Sequence, residues 1–138
     1  MIIGVPKENL IDETRVALTP AAAGQLIKKG CRVLVESQAG AASGHPDAEY
    51  TNAGAEVSAR PALLNQAQLV LRVRPPAVDE IAGLSKGAVH ISFLDPFGQP
   101  EVIQAFASAG VTAISVEMIP RSTIAQKMDA LSSQANLA

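Results

Sequence analysis

Two groups of basic residues in this sequence could bind an anion. Lys7 and Arg15 follow the first predicted strand, in a charged cluster with Glu8, Asp12 and Glu13. Arg72 and Arg74 end a later strand. In a parallel sheet the carboxyl ends of the strands line the ligand crevice, so both groups are candidates for a carboxylate or phosphate site. The alternatives are ordinary surface salt bridges for Lys7 and Arg15, and a solvated strand end for the later pair.

A third polar group follows the last predicted strand. Its members are Arg121, Gln126, Asp129, Ser132 and Ser133. Their guanidinium, amide, carboxylate and hydroxyl groups could bind an amide, a ribose or a pyrophosphate. The alternative is the solvated face of a helix.

Other catalytic chemistry has little support in the sequence. The GxGxxG, GxxxxGK[ST], HExxH, GxSxG and CxxC motifs are absent. His90 lies inside an apolar segment and is predicted to be hydrogen-bonded and semi-buried, while His45 is predicted to be solvated. Cys31 is predicted to be a small buried hydrophobic residue, and no metal site is predicted because suitable partner ligands are lacking.

The composition argues against several classes of protein. With 138 residues, 48% hydrophobic and 17% charged, the chain is expected to form one small domain with an aliphatic core and not to be disordered. A net charge of −2 argues against nucleic-acid binding, and no apolar run approaches the ~20 residues of a membrane helix. No signal peptide is evident, and the single cysteine indicates a reduced, cytoplasmic setting.

The elements that must position the polar groups alternate along the chain. Strands are predicted over residues 2–5, 31–36, 55–57, 69–73, 88–94 and 111–116. Helices are predicted from Pro20 to a stop at Gly30, and over residues 47–53, 61–67, 78–84 and 100–109. This alternation predicts an α/β fold of three layers, a mostly parallel sheet with helices on both faces.

A further amphipathic helix is predicted from Ser122 onward. Its apolar residues recur at helical spacing and are Ile124, Met128, Leu131 and Ala135. This helix has no C-terminal cap before Ala138, so we expect the natural chain to continue.

Three blocks of the sequence carry a family resemblance. They read IIGVPKE with DETRVALTP, then KGCRVLVESQAGAASG, then YTNAGAEV. With them, the chain resembles over essentially its whole length the N-terminal domain shared by alanine dehydrogenase and the alpha subunit of proton-translocating NAD(P) transhydrogenase. The resemblance implies a flavodoxin-like sheet of the kind found in the catalytic domains of formate and glycerate dehydrogenases.

Two positions distinguish the branches of that family. Alanine dehydrogenases carry a lysine for the substrate carboxylate where this chain has Arg74, and a catalytic histidine where it has Asp95. Without the imidazole, the group that would exchange a proton near neutral pH is lost. The resemblance therefore favours the transhydrogenase branch and implies no catalytic side chain. Arg15 matches an arginine that the alanine enzymes use for substrate, and its alternative role is a structural ion pair. With Lys7, chosen for its place after the first strand, the substrate-pocket candidates are Lys7, Arg15 and Arg74.

The segment 120–136 resembles the transhydrogenase loop that closes over bound NAD(H). By this resemblance Arg121 positions the nicotinamide end, and Gln126 hydrogen-bonds the cofactor. Asp129 and Ser132 would bind ribose or carboxamide groups. The implied cofactor-binding set is Arg121, Ser122, Thr123, Ile124, Gln126, Asp129 and Ser132. Ile124 stands where family members often have a second arginine.

The resemblance also implies an activity and its partners. Hydride would pass between NAD(H) on this subunit and NADP(H) on a separate subunit, coupled to proton translocation through a membrane component. The chain is expected to form a homodimer and to associate peripherally with the inner membrane, on the cytoplasmic side, through those partner subunits. The alternatives are an amino-acid dehydrogenase of the alanine type and a stand-alone, non-catalytic binding module.

The domain boundaries follow from the same resemblance. Residues 1–120 are expected to form the α/β domain. Residues 121–138 are expected to begin the closing loop, which would lead to a Rossmann NAD-binding domain that this sequence does not include. Because the phosphate-binding turn is missing, we expect the isolated chain to fold, to bind NAD weakly or not at all, and to be inactive.

Overall fold

The structure, a computed structural model, describes residues 1–135. Strands and helices alternate over this range. The strands are β1 (Ile2–Val5), β2 (Arg32–Glu36), β3 (Glu56–Ser58), β4 (Leu69–Leu71), β5 (Val89–Ser92) and β6 (Thr112–Ser115). The helices are α1 (Pro20–Lys28), α2 (Asp47–Asn52), α3 (Arg60–Gln66), α4 (Val78–Ile81), α5 (Pro100–Ala109) and α6 (Ala130–Ala135).

Within residues 1–135 the six strands form one parallel sheet in the order β3-β2-β1-β4-β5-β6. The order reverses between β1 and β4, since Ile3 pairs with Val33 of β2 on one side and with Leu69 of β4 on the other. The predicted α/β class with a parallel sheet is confirmed.

Helices pack on both faces of the sheet. On one face, α1 and α2 contribute Ala23 and Tyr50 to a core that includes Val35. On the other face, α3, α4 and α5 cover the sheet, and Leu63 and Phe106 are fully buried there. The three-layer prediction is therefore confirmed as well.

Gly4 of β1 allows α3 to lie close to the sheet. A Cβ atom at this position would lie 2.7 Å from Cδ2 of Leu63 and 2.8 Å from Cβ of Ala67. Both distances are far inside van der Waals contact, so a larger residue would push α3 away from β1.

Local signals start and end the longer helices. The Thr19 hydroxyl accepts a hydrogen bond from the Ala22 N–H at the start of α1, with Pro20 in the first helical position. Gly110, with φ of 67°, ends α5 in the left-handed conformation. β1 and α5 have their predicted bounds, whereas β4 and β5 are shorter than predicted.

The continuous helix predicted from Ser122 was wrong. A single 3₁₀ turn covers Gln126–Met128, and α6 begins only at Ala130. The break occurs because the Asp129 carboxylate accepts a hydrogen bond from the Ser132 N–H, at 3.1 Å, and so caps a new helix.

The apolar residues of that predicted helix do not share a buried face. The exposed fractions are 91% for Ile124, 55% for Met128 and 43% for Leu131. Residues 136–138, the end of the predicted helix and of the predicted closing loop, lie outside the described residues.

Candidate functional site

The crevice between β1 and β4 is filled by the protein's own charges. Open α/β sheets bind ligands at such a reversal of strand order, outside the carboxyl ends of the strands. Here the Glu8 carboxylate accepts hydrogen bonds from the backbone N–H groups of Val73, at 2.7 Å, and Arg74, at 3.2 Å. An internal carboxylate therefore occupies the usual position of a ligand.

Arg72 belongs to this buried network. Its side chain is 3% exposed, and its guanidinium lies 2.8 Å from Glu80 and 3.8 Å from Glu8. Glu80 also contacts Arg60, whose Nε lies 3.0 Å from Glu36. Burial alone would raise the pKa of Glu80, but hydrogen bonding and attraction from Arg72 lower that pKa to about 2. Two guanidinium nitrogens of Arg72 are thus held by carboxylates, whereas its Nε is buried without a hydrogen-bond partner. Arg72 also lines a neighbouring cavity of about 340 Å³.

Arg15 and Arg74 meet at a second site. Both line a cavity of about 470 Å³, called the basic cavity below. Its other lining residues are Pro75, Phe93, Asp95, Gln99, Glu117, Ala130 and Leu131. A more apolar cavity of about 340 Å³ shares Arg15, Phe93 and Ala130 with it.

Glu13 joins the two arginines of the basic cavity. Its carboxylate accepts hydrogen bonds from Nε and Nη2 of Arg15, both at 2.7 Å, and from Nε of Arg74 at 2.8 Å. The hydrogen bonds from Arg15, chiefly, and from Arg74 lower the pKa of Glu13 to about 2, although burial opposes this shift. The carboxylate is therefore ionised throughout the physiological pH range.

The third substrate-pocket candidate, Lys7, does not line the basic cavity. Its side chain is exposed, and its backbone belongs to the neighbouring network. The Lys7 N–H donates to Glu36 at 2.8 Å, and its carbonyl accepts from Arg60 at 2.6 Å.

Asp95, which by the family resemblance stands where alanine dehydrogenases carry a histidine, belongs to a tight turn. Its φ of 46° lies in the left-handed region, which aspartate tolerates better than most residues. Its carboxylate accepts from the Gly98 N–H at 3.3 Å, and its own N–H donates to Glu117. This wall of the basic cavity therefore carries a carboxylate and not a proton-exchanging imidazole.

The two histidines lie away from the basic cavity. His90 is 1% exposed within β5, where Nε2 lies 3.0 Å from the Ser92 hydroxyl. Burial, and then the positive charge of Arg72, lower the pKa of His90 to about 3. His45 pairs with Glu49 at 2.9 Å.

The third polar group of the sequence forms a cavity of its own. This polar cavity, of about 500 Å³, is lined by Arg121, Ser122, Thr123, Gln126, Asp129, Ser132 and Ser133. Six of the seven residues implied to bind the cofactor thus meet around one space. Ile124 is the exception, because it does not line the cavity and its side chain points to solvent.

Asp129 organises the polar cavity. One carboxylate oxygen accepts from the Ser132 hydroxyl at 2.7 Å, and the same oxygen lies 3.6 Å from Nε of Arg121. The Ser132 hydrogen bond, above all, holds the pKa of Asp129 below its usual range. Arg121 is 71% exposed, so most of its guanidinium remains open to a ligand.

The donor set of the polar cavity suits a dinucleotide. A guanidinium can bind phosphate, a carboxylate can accept from ribose hydroxyls, and an amide can pair with a carboxamide. Helix α6 separates this cavity from the basic cavity, since Ala130 and Leu131 line the basic side and Ser132 and Ser133 the polar side. The two cavities therefore share one wall.

Comparison with known proteins assigns the chain to a family. Residues 4–138 match the family described as "Alanine dehydrogenase/PNT, N-terminal domain". The chain belongs to this family. The resemblance noted in the sequence blocks is confirmed.

Both branches of the family are represented among the relatives. The alanine dehydrogenase of Bacillus subtilis (strain 168) is 45% identical over 119 residues, 86% of this chain and 32% of the relative. The NAD(P) transhydrogenase subunit alpha of Cereibacter sphaeroides is 42% identical over 139 aligned positions, 100% of this chain and 27% of the relative. The chain thus spans less than a third of the length of these two curated relatives.

A solved structure of the family has nearly the same fold. The crystal structure of the transhydrogenase from Sinorhizobium meliloti matches with a TM-score of 0.94 at 44% identity. The match covers 99% of this chain and 39% of that one. The likeness therefore extends through the C-terminal segment that forms the polar cavity.

Glu8 and Glu13 belong to the charged cluster after β1, but their pairing with the residues that follow β4 could not be predicted from the sequence. Glu13 lies two residues from Arg15 but 61 residues from Arg74, so its bridging position depends on tertiary structure. Glu8 follows shortly after the end of β1, which is the one local signal that it faces the crevice.

Two features are absent from the described part of the chain. Among residues 1–135, no helix is long and apolar enough to cross a membrane. In the same residues, no three His, Cys, Asp or Glu side chains are grouped so as to hold a metal ion.

Proposed function

We propose that this chain is the N-terminal segment of the NAD(H)-binding alpha subunit of a proton-translocating NAD(P) transhydrogenase. The observation that carries the proposal is the polar cavity, where Arg121, Gln126 and Asp129 surround one space of about 500 Å³. Support comes from the match to the S. meliloti transhydrogenase, which includes 99% of the chain.

The side chains of the polar cavity would bind and orient NAD(H). Arg121 offers an exposed guanidinium to a phosphate or to the carboxamide end, and Asp129 accepts from ribose hydroxyls. Gln126 supplies an amide that can donate and accept at the same time. When bound, the nicotinamide ring supplies the hydride, and the protein has to fix its position and exclude water.

The side chains of the basic cavity are compatible with the transhydrogenase branch of the family. Hydride transfer between two nicotinamide rings needs no side chain that exchanges protons. The Asp95 carboxylate accepts a hydrogen bond within its own turn, and the Glu117 carboxylate accepts from backbone N–H groups of that turn. Neither carboxylate is therefore free to act as a general base. The wall of the cavity is therefore suited to a reaction without acid–base catalysis.

A second candidate is an alanine-type amino-acid dehydrogenase. Arg15 and Arg74 on one cavity wall could bind an amino-acid carboxylate, and the B. subtilis relative is an alanine dehydrogenase. Asp95 counts against this candidate, because oxidation of an amine requires a group that removes a proton near neutral pH. A non-catalytic binding module derived from the domain is the third candidate.

The assembly and location belong to the same proposal. The complete subunit would form a homodimer and would bind an NADP(H)-binding subunit and a membrane subunit at the cytoplasmic side of the inner membrane. Residues 1–120 would form the α/β domain, and residues 121–138 would lead into a Rossmann domain that holds most of the dinucleotide. Alone, the chain would bind NADH weakly and would be inactive.

A segment exchange tests the proposal. In the S. meliloti transhydrogenase, this chain would replace the matched 39% of the protein. We expect the chimera to transfer hydride between NADH and an NADP⁺ analogue and to produce no NADH from alanine. A folded chimera that makes NADH from alanine but does not transfer hydride between nucleotides would overturn the proposal in favour of the second candidate.

Binding by the isolated chain is a separate check. Calorimetry with NADH should show weak or no binding, because the polar cavity offers only one wall of the site. Micromolar affinity would contradict the proposal that a Rossmann domain outside this chain holds most of the dinucleotide.

A further inference from the structure

The two halves of the sheet differ in how their faces are covered. In β2 the consecutive residues Val33, Leu34 and Val35 are all buried, so both faces of this half are covered. In β4 and β5, by contrast, the buried residues Val70 and His90 alternate with neighbours that are only half-buried. Parallel sheets are normally covered on both faces, so the β4–β5–β6 half has one face that lacks a cover.

The side chains of this uncovered face come from three adjacent strands. Leu69 pairs with Val89, and Val89 pairs with Thr112 in the parallel register. The open half-face, as it is called below, is formed by Leu69, Leu71, Val89, Ile91, Thr112 and Ile114. Five of these six side chains are apolar, so contact with another apolar surface would stabilise them.

The order of the strands explains why this face is open. The connections through α1 and α2 run in one direction across the sheet, and those through α3, α4 and α5 run in the other. Because parallel crossovers are right-handed, the two sets of helices lie on opposite faces. Helices α1 and α2 accordingly pack on β2 and β3. A helix over the open half-face therefore has to come from a segment that follows β6.

Helix α6 follows β6 but lies at one end of the open half-face. Its residue Ala130 lines the cavity of about 340 Å³ with Leu71 and Ile91, at the carboxyl ends of the strands. The amino ends border another cavity, of about 590 Å³, which is lined by Met1, Gln68, Leu69 and Val89. No residue of α6 lines this second cavity, so the amino-terminal part of the open half-face needs another cover.

We propose that the open half-face binds one amphipathic helix from a part of the same subunit that follows this chain. Three strands about 4.8 Å apart make a surface roughly 14 Å wide, and strands of four residues are about 13 Å long. A helix with its side chains is about 10–12 Å across, so one helix fits this surface. The inference goes beyond the proposed function and rests on it only in treating the chain as part of a longer subunit.

The size of the open half-face favours a helix over a second copy of the chain. The surface amounts to about 200 Å², whereas a stable dimer buries about 800 Å² on each partner. The part matched by this chain is 39% of the S. meliloti transhydrogenase, so such a subunit has enough further length to supply a helix. The α/β domain is then assembled from two separate stretches of the subunit.

Thiol labelling tests the inference. Cys31→Ala removes the single native cysteine, and Ile114→Cys then places a thiol on the open half-face. Its rate of reaction with a maleimide is measured in the isolated chain and in the S. meliloti chimera, by mass spectrometry of the labelled peptide. We expect the thiol to react at least about tenfold more slowly in the chimera, because a packed helix covers it there.

Val57→Cys in the same background is the matched control. Val57 lies on the other edge strand, β3, and its exposed fraction of 40% matches the 39% of Ile114. Its thiol should react at the same rate in the isolated chain and in the chimera. Equal slowing at both positions would overturn the inference, because it would show a general effect of the larger protein.

Thr112→Cys is a second probe of the same face if Ile114→Cys does not fold. Unchanged labelling of these positions in the folded chimera would refute the covering helix. Labelling that slows as the concentration of the isolated chain rises would also refute it, in favour of a second copy. No nucleotide is present in this assay, so a chimera that protects these positions but transfers no hydride would contradict the proposed function alone.

Discussion

The β1–β4 crevice and the polar cavity both contain arginine and carboxylate side chains, but they differ in how far those side chains are exposed to a ligand. In the crevice, Arg72 is 3% exposed and pairs with two carboxylates. In the polar cavity, Arg121 is 71% exposed and its carboxylate partner lies 3.6 Å away. The crevice carboxylates are paired within the protein, although Nε of Arg72 is buried without a hydrogen-bond partner, while Arg121 leaves most of its guanidinium exposed. Bonding state, more than residue type, thus distinguishes the crevice charges from the charges that we propose to bind the cofactor.

The largest test of this comparison is Arg72→Leu. The substitution leaves Glu8 and Glu80 without their buried counter-ion, so the free energy of unfolding should fall by about 3–5 kcal/mol. Urea unfolding followed by circular dichroism measures the change. Arg32→Gln is the control, since the Arg32–Glu56 pair is exposed and its loss should hardly move the urea midpoint. If Arg72→Leu lowered the free energy of unfolding as little as Arg32→Gln, the crevice network would stabilise the fold no more than the exposed Arg32–Glu56 pair does.

Acid provides the second test. The pKa of Glu80 falls from 4.5 to about 2 on folding, so its stabilisation is complete above pH 4.5 and is lost as the pH falls toward 2. The loss from Glu80 amounts to about 3 kcal/mol. His90 adds an earlier loss, because its pKa falls from 6.5 to about 3 and the unfolded chain takes up a proton first.

Urea unfolding as a function of pH measures both effects. His90→Gln should reduce the slope of the curve most clearly between pH 6.5 and 4.5. Glu80→Gln should reduce the slope below pH 4.5, where Glu13 and His90 still contribute. A curve for the wild type that stays level down to pH 3 would contradict both assignments.

The smallest expected effect concerns the polar cavity. In the transhydrogenase chimera, Arg121→Gln should slow hydride transfer about tenfold, equal to about 1.4 kcal/mol, while the urea midpoint stays unchanged. Lys127→Gln is the matched control, since Lys127 is an exposed cation of the same segment that does not line the cavity. If Arg121→Gln instead destabilised the fold without slowing transfer, the two regions would be alike and the comparison would be broken.

Much of the fold could be predicted because its signals are local. The apolar run at residues 2–5 and the proline and glycine that bound α5 specify their elements without help from distant residues. The C-terminal helix could not be predicted in the same way. Its apolar spacing indicated one continuous helix, but the Asp129 side chain bonds the backbone of Ser132 and starts a new helix there.

The candidate site was predictable where its residues lie close together in sequence. The polar cavity is built from residues 121–133 and therefore appeared as one cluster. Arg72 and Arg74, in contrast, are near neighbours in sequence but differ in exposure. Arg72 is buried against Glu80, whereas Arg74 is half exposed and bonds to Glu13. Only the tertiary fold brings those carboxylates to the arginines, so no spacing rule could separate the two.

The backbone of the turn at Asp95 has a consequence for the chemistry that the cavity wall can carry. Its left-handed backbone conformation is one that aspartate, asparagine and histidine adopt more readily than other non-glycine residues. An exchange between aspartate and histidine at this position therefore requires no remodelling of the main chain. One side-chain substitution on this bend would therefore be enough to replace the carboxylate on the wall of the basic cavity with an imidazole, because the backbone conformation accepts either residue.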